Sequence, residues 1–507
     1  MSTEHHTPAE PHPHPHPHTP SLSRSLSPSH EPPGAAPPAA DPRRWKALAL
    51  ICAAQFMLVL DVTVVNVALP SMAADLDLAR TTLTWVVTAY TLCFGGLMLL
   101  GGRLADALGA RRVLLAGLGL FTAASLVCGL AASAPVLLGG RVAQGIGAAL
   151  LSPAALALVT TFFQGPERAK ALGAWAAIGG TGSAVGVLLG GALTDGPGWP
   201  WIFYVNVPVG VALLLALPVV LPRAPEIPHA RARTAGRPRL DAPGALLVTA
   251  ATGTLIYGLV QAGESGWASA PTLLPLLGSL LLYGIFVAVE RASRDPLMDP
   301  RMFTRRPVLA GSFLMLVATA LLISFFFLGS VQLQRLNGFG AFRTGLVFLP
   351  VAVTTAVGAH LGSGLVGAVG PRATATGGTA LAALGCLPLA LITPGSNAWA
   401  TVMPALSVAA LGLGAVFVTA TTTALGMIAP HEAGLASGIV NTFHEVGGSI
   451  GVAVVSTVAA SGIQGQGTAG FTAAFTLCAA LAAATALAAP ALVPRGRPHT
   501  PMGPHAH

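Results

Sequence analysis

Long apolar runs, separated by short polar breaks that carry glycine or proline, recur along almost the whole chain after residue 46. A helix needs roughly 20 apolar residues to cross the hydrocarbon layer of a bilayer, where only helices or closed barrels satisfy every backbone polar group. Runs of that length lie near 47–69, 82–101, 113–131, 136–162, 171–193, 202–221 and 243–262. Others follow near 271–290, 308–331, 345–368, 374–393, 399–421, 434–458 and 469–492. The pattern predicts an all-α polytopic membrane protein with fourteen spans. Residues 1–42 read differently, being rich in Pro, His and Ser. The alternating Pro11-His12-Pro13-His14-Pro15-His16-Pro17-His18 cannot propagate a helix, so a disordered tail is expected there. Its histidines offer at most a weak site for a soft divalent metal. The first apolar run is too long for a signal-peptide core and is followed by further spans, so no cleavable leader is expected.

The basic residues give an independent test of this topology. With a cytoplasmic N-terminus, 22 of the 26 Lys and Arg fall on the cytoplasmic side. Arg80, Arg335 and Arg343 fall outside, and Arg141 lies within a span. That asymmetry fits the positive-inside rule, and an odd number of spans would break it at Arg495 and Arg497. The basic stretch 222–242 separates the first six spans from the rest, and a second, 291–307, follows the eighth. The expected organisation is therefore a cytoplasmic tail 1–42, a six-helix bundle 43–221, a basic linker 222–242 and an inserted helix pair 243–290. A cytoplasmic loop 291–307, a second six-helix bundle 308–492 and a cytoplasmic tail 493–507 complete it.

Composition agrees with this picture. Apolar residues make up 53% of 507 and charged residues 9%, where soluble domains carry about a quarter charged. The net charge of +8 would suit nucleic acid, but topology already accounts for where the basic residues lie, so no nucleic-acid partner is expected. Five cysteines, Cys52, Cys93, Cys128, Cys386 and Cys478, each sit in an apolar stretch and read as small hydrophobes. Walker A, zinc-ligand and nucleophile motifs are absent from the sequence, so an enzyme, a cofactor or a metal is not expected. Transport by such a chain must therefore use an ion gradient or be passive.

Polar residues at membrane depth are functional hypotheses by default. Asp61 lies nine residues before Pro70, about 14 Å below the outer end of its span. Burial favours its neutral form, so it can load and release a proton as water access changes. Arg141 lies at a comparable depth in the fourth span, with Gln144 one turn on. A guanidinium keeps its charge, so Arg141 must be paired or hydrated, and it pulls Asp61 towards the ionised form. The alternative for both residues is a structural ion pair. Asn66, Gln144 and Asn441 are weak candidates for contacting a substrate. In the thirteenth span His444 and Glu445 read either as a second proton site, as a counter-charge for a cationic substrate, or as a helix–helix hydrogen-bonding pair.

After the second span the chain reads Gly102-Arg103-Leu104-Ala105-Asp106-Ala107-Leu108-Gly109-Ala110-Arg111-Arg112. This resembles the G-x-L-a-D-R-x-G-R-K signature of the major facilitator superfamily, with Ala107 and Ala110 where basic residues are usual, which leaves Arg111 and Arg112 as charge donors. In that family the loop acts as a cytoplasmic latch between two bundles. The segment Leu60-Asp61-Val62-Thr63-Val64-Val65-Asn66-Val67-Ala68-Leu69-Pro70 is similar to the L-D-x-T-x-V-N-V-A-L-P signature of its fourteen-span drug:proton antiporters. Gly182, Gly186, Gly190 and Gly191 fit that group's G-x-x-x-G-P-x-x-G-G motif, with Val187 for the proline. Trp199 to Gly210 resembles W-R-W-x-F-x-x-N-x-P-x-G, with Pro200 for the arginine.

The resemblance spans roughly residues 45–490. It implies two bundles rocking about a central site, with Gly102, Asp106, Gly109, Arg111, Arg112 and the fifth-span glycines in gating, and Asp61 and Arg141 in proton coupling. The expected function is a proton-coupled antiporter of the cytoplasmic membrane that exports small amphipathic or cationic compounds. Its expected partners are that substrate, protons and the lipid bilayer, and the protein is expected to be a monomer. A proton-coupled importer on the same fold, and a non-transporting sensor or scaffold, are the competing readings.

Overall fold

The computed structural model describes residues 2, 43–163, 165–221, 242–293, 302, 304–393, 396–425, 433–464 and 467–494. The His-Pro tail apart from residue 2, the linker up to residue 241, residues 294–301 of the second basic loop and the C-terminal tail from 495 lie outside them.

The described chain folds into α1 (Arg44–Asp75), α2 (Arg80–Leu108), α3 (Ala110–Gly129), α4 (Ala134–Phe162) and α5 (Gly165–Asp195). Next come α6 (Trp201–Val220), α7 (Ala242–Ser265), α8 (Ala270–Ala292), α9 (Arg306–Arg335) and α10 (Ala341–Val369). The series closes with α11 (Pro371–Leu391), α12 (Ala398–Leu425), α13 (Ala433–Val458) and α14 (Ala469–Leu492). Prolines stand in the first turn of α4, α8, α9 and α11, where their missing N–H has no intrahelical partner to lose.

Among the described residues, twelve of these helices are long and apolar enough to cross a membrane. The other two, α5 and α13, contain 31 and 26 residues, about 46 and 39 Å at 1.5 Å per residue. They coincide with the fifth and thirteenth predicted runs, so twelve of the expected fourteen spans are met on length and apolarity, and the count of fourteen is not reached among the described residues. α6 is less regular than the pattern suggested: a single turn, Trp201–Tyr204, precedes the main segment Asn206–Val220.

Helices α1–α6 pack among themselves, as do α9–α14. The two sets meet where α1 touches α9, α2 touches α13 and α5 touches α10. α7 lies against both α2 and α13, and α8 packs on α7 with Leu273, Leu274, Leu277, Leu280 and Leu281 exposed, as a lipid-facing helix requires. Polar links between the sets gather at the end that carries the 75–80 turn. Gln334 Nε2 donates to the Val67 carbonyl at 2.7 Å. The Asp195 carboxylate accepts from the backbone N–H groups of Ala341 (2.8 Å) and Phe342 (2.7 Å), capping α10 from α5. Arg80 Nη1 donates to the Ser456 carbonyl at 3.1 Å. Arg80, assigned to an outside loop by the basic-residue pattern, is thus a buried residue opening α2, because its charge is consumed by neighbouring helices.

Without a hydrophobic drive between helices in lipid, close packing of small residues does the work. Gly182, Gly186 and Gly190 form one face of α5 along α1, against Val59, Thr63 and Val64. A Cβ at Gly190 would lie 2.9 Å from Val64 Cα, whereas one at Gly139 would meet nothing within 4 Å. Gly190→Val should therefore lower the thermal unfolding midpoint of the detergent-solubilised protein, overpacking costing about 1–3 kcal/mol, while Gly139→Ala leaves it unchanged. Equal midpoints for the two variants would contradict the packing described.

Candidate functional site

The site is assembled around Arg141, and glycines on α4 bring it into place. Gly140 faces Cys128 of α3, and Gly147 sits against the Phe121 backbone of α3. On the other side, a Cβ at Gly145 would lie 2.5 Å from the Tyr90 carbonyl of α2. With both neighbours this close, the Arg141 side chain reaches between α2 and α1. Arg141 and Asp61 are each 1% exposed.

The guanidinium bridges three helices. Its Nη1 donates to Asp61 Oδ2 at 2.5 Å on α1 and to Gln144 Oε1 at 2.9 Å on α4, and its Nε donates to the Val86 carbonyl at 2.9 Å on α2. The Tyr90 ring lies 4.4 Å from Arg141 Cζ and the Phe203 ring 6.0 Å, a cation–π setting in a dry environment. Asp61 Oδ1 accepts from Gln144 Nε2 at 3.1 Å and, at the long limit of 3.5 Å, from Asn206 Nδ2. Gln144 Nε2 also donates to Ser125 Oγ at 2.9 Å. Five helices therefore contribute to one enclosed network in which Asp61 is the only carboxyl group hydrogen-bonded among the described residues. A proton placed on that carboxyl cancels the ion pair and leaves Arg141 held by Val86 and Gln144, so the network has two distinct electrostatic states.

The Trp199–Gly210 segment acquires a physical role from this geometry. Trp199 Nε1 donates to Asp75 Oδ2 at 2.8 Å, anchoring the start of α6 to the end of α1. Phe203 then faces Arg141, Asn206 reaches Asp61, and Gly210 makes room for Thr122 of α3. Asn206, Ser125, Tyr90 and the Val86 carbonyl were not singled out from the sequence. Asn206 was legible there as the polar member of its motif; the other three carry no signal in residue type or spacing.

The remaining sequence candidates lie elsewhere. Asn66 is fully buried on α1; its Nδ2 donates to the Val62 carbonyl at 2.7 Å, and its Oδ1 has no partner among the described residues. Asn441 is half-buried on α13. His444 and Glu445 point to different neighbours, as adjacent helical residues must. His444 Nδ1 meets Thr319 Oγ1 of α9 at 2.9 Å, and its ring lies 5.6 Å from that of Phe417. Glu445 packs against Gly95 of α2, and its Oε1 is 4.0 Å from His444 Nε2. No direct hydrogen bond among those resolved joins this pair to Asp61.

At the turn between α2 and α3, Gly109 adopts φ +93°, a conformation that favours glycine. Gly101 abuts the Ala149 carbonyl of α4, while a Cβ at Gly102 would only touch Pro153 at 3.8 Å. Asp106 and Arg112 are exposed. Arg111 Nη2 donates to the Pro218 carbonyl at 2.8 Å, so it ties the turn to α6 within the same helix set. On α5, Gly191 faces Ala341 and Phe342 of α10, complementing the three glycines that face α1.

A sequence profile described as Major Facilitator Superfamily matches residues 51–452. The chain is 39% identical to the puromycin resistance protein pur8 of Streptomyces alboniger, across 83% of this chain and 82% of that one. It is 40% identical to the cephamycin export protein CmcT of Amycolatopsis lactamdurans, across 83% and 86%. It is 35% identical to the multidrug resistance protein Stp of Mycobacterium tuberculosis, across 80% and 74%. Among solved structures, an auto-inhibited POT family peptide transporter matches with a TM-score of 0.62 at 19% identity, covering 90% of this chain and 99% of that one. A bacterial homologue of the human lysosomal transporter Spinster, inward-facing and unoccupied, matches with a TM-score of 0.59 at 18% identity, across 91% and 100%. At these identities the structures speak to the fold.

Removing one partner from a buried ion pair costs about 3–5 kcal/mol, because the other charge is stranded. Arg141→Met should therefore lower the thermal midpoint strongly, and Asp61→Asn combined with Arg141→Met should cost less than the sum of the single changes. Strict additivity in that double-mutant cycle would mean that the two side chains do not act as a unit.

Proposed function

The chain belongs to the Major Facilitator Superfamily, and from that membership we propose that it is a proton-driven drug efflux transporter of the cytoplasmic membrane. The observation that carries the coupling mechanism is the buried Asp61–Arg141 pair inside membrane-spanning helices. A scaffold has no need of a charged pair at that depth, whereas a pump needs one group that trades a proton for an electrostatic rearrangement. The named relatives support organic antibiotics as cargo, and amphipathic or cationic compounds are the class proposed here.

In the cycle we envisage, 43–221 and 308–492 move as two bundles about a central path, with 243–290 inserted between them. Both termini face the cytoplasm, in accord with the arginine distribution. The 75–80 end is then the outer end, and the links gathered there correspond to a path closed to the outside. When the path opens outward, Asp61 takes up a proton, its hold on Arg141 weakens, and drug leaves. Once the outer end has closed again, loss of the proton to the cytoplasmic side restores the enclosed ion pair of the present arrangement. Each unit of pH difference supplies about 1.4 kcal/mol per proton. His444 and Glu445, partly exposed on α13, supply a polar surface and a counter-charge facing the path. The Gly109 turn and Arg111 hold the cytoplasmic end of α2 and α3 in register with α6, and the α5 glycines let α1 and α10 move against a smooth face.

Asp61→Asn, reconstituted from the monodisperse fraction of the purified variant, should abolish pH-driven efflux of puromycin or a cationic dye from proteoliposomes. A variant that still accumulates drug against its gradient would sink the coupling role of Asp61.

A further inference from the structure

The helix pair α7–α8 plays no part in the Asp61 network, yet its position is specific. α7 runs along α2 and α13, one of the three helix pairs through which the sets of six meet, with Gly96 of α2 seated on Thr249. α8 is held to α7 by Ser279 Oγ, which donates to the Ala251 carbonyl at 2.9 Å, and by Thr252 Oγ1 and Tyr283 Oη at 2.7 Å. At the 75–80 end this arrangement closes on a single cation. The Arg80 side chain is 3% exposed and makes four hydrogen bonds. Nε and Nη2 donate to Glu264 Oε1 at 3.2 and 2.8 Å, and Nη2 also donates to the Val260 carbonyl at 3.3 Å, all on α7. Nη1 donates to the Ser456 carbonyl on α13 at 3.1 Å. Beside it, Thr457 Oγ1 of α13 donates to the Leu259 carbonyl of α7 at 2.7 Å. Gly263 makes the approach possible, since a Cβ there would lie 2.7 Å from Arg80 Nη2.

The charges are arranged unequally. Arg80 cannot shed its proton and is enclosed, whereas Glu264 is 39% exposed at the same end. Glu264 is thus the counter-ion that lets a permanent cation sit in the seam between α2 and α13. Because Arg80 belongs to one set of six and Ser456 to the other, separating α2 from α13 at this end must break the bond between them.

We propose that the inserted pair is a clasp on the α2–α13 seam, with Arg80 and Glu264 as positioning residues whose contacts must release each time the path opens at the 75–80 end. The proposal rests on the transporter reading and adds to it a role for the two extra helices.

The test uses the full chain in lipid nanodiscs, its five cysteines replaced by alanine, with spin labels at the exposed residues Ala74 and Gln464. Distances between the labels are read by double electron–electron resonance. Glu264→Gln, which keeps the shape and removes the charge, should raise the separated population about fivefold, the lower end of typical two-state couplings. Thr457→Val, which cuts the adjacent α7–α13 link, should shift it in the same direction. In transport assays Glu264→Gln should raise the half-saturating cytoplasmic drug concentration while the maximal rate is retained, because the drug-loading state is less populated. Wild-type distance distributions in both variants, each monodisperse and with an unchanged melting midpoint, would overturn the proposal. Should Glu264→Gln fail to fold, the Thr457→Val distances decide alone. The distance measurement needs no cargo, so failure of the drug-export reading would show separately, as absent efflux by the unsubstituted chain.

Discussion

A guanidinium inside a bilayer has few ways to exist, and five of the first six helices are arranged around the one chosen here. Arg141 takes a carboxylate from α1, a carbonyl from α2 and an amide oxygen from its own helix, and aromatic faces fill the remaining space. Each partner fixes a helix. The α4 glycines, the anchoring of Trp199 to Asp75 and the reach of Asn206 are all conditions for that charge to be buried without water. The same dependence concentrates the helix contacts of α1, α2 and α4 on one side chain.

Much of the fold was legible because membrane helices announce themselves by length. The runs near 82–101 and 308–331 required only counting, and α2 and α9 stand over them. The Asp61–Arg141 pairing was also within reach, since two opposite charges at matching depth have little else to meet. What sequence could not supply was lateral position. Ser125 and Tyr90 are ordinary residues of ordinary helices until α3 and α2 are placed beside α4. Arg80 misled for the same reason: at the edge of an apolar run a basic residue looks like a loop charge, and only the position of α7 shows that Glu264 awaits it.

The two sets of six helices are joined unevenly. At the 75–80 end the links use side chains to grip backbone groups of the other set: Gln334 on Val67, Asp195 on the start of α10, and Arg80 on Ser456. A carbonyl or amide gripped in this way is presented by any residue, so the specificity of closure resides in three side chains. Halfway along, Thr91 and Ser449 share a hydrogen bond between α2 and α13 at 2.5 Å, and Gly95 admits Glu445. The α2–α13 seam is accordingly continuous from its clamp to the middle of the molecule, a geometry suited to a pivot.

The glycine stripe on α5 has a consequence at the level of the gene. Every single-nucleotide change that replaces a glycine adds at least a Cβ, and at 182, 186 and 190 that atom has nowhere to go. These codons have no conservative neighbour. On the face of α5 that meets α1, every replacement must therefore be answered by a shift of the α1 residue it meets.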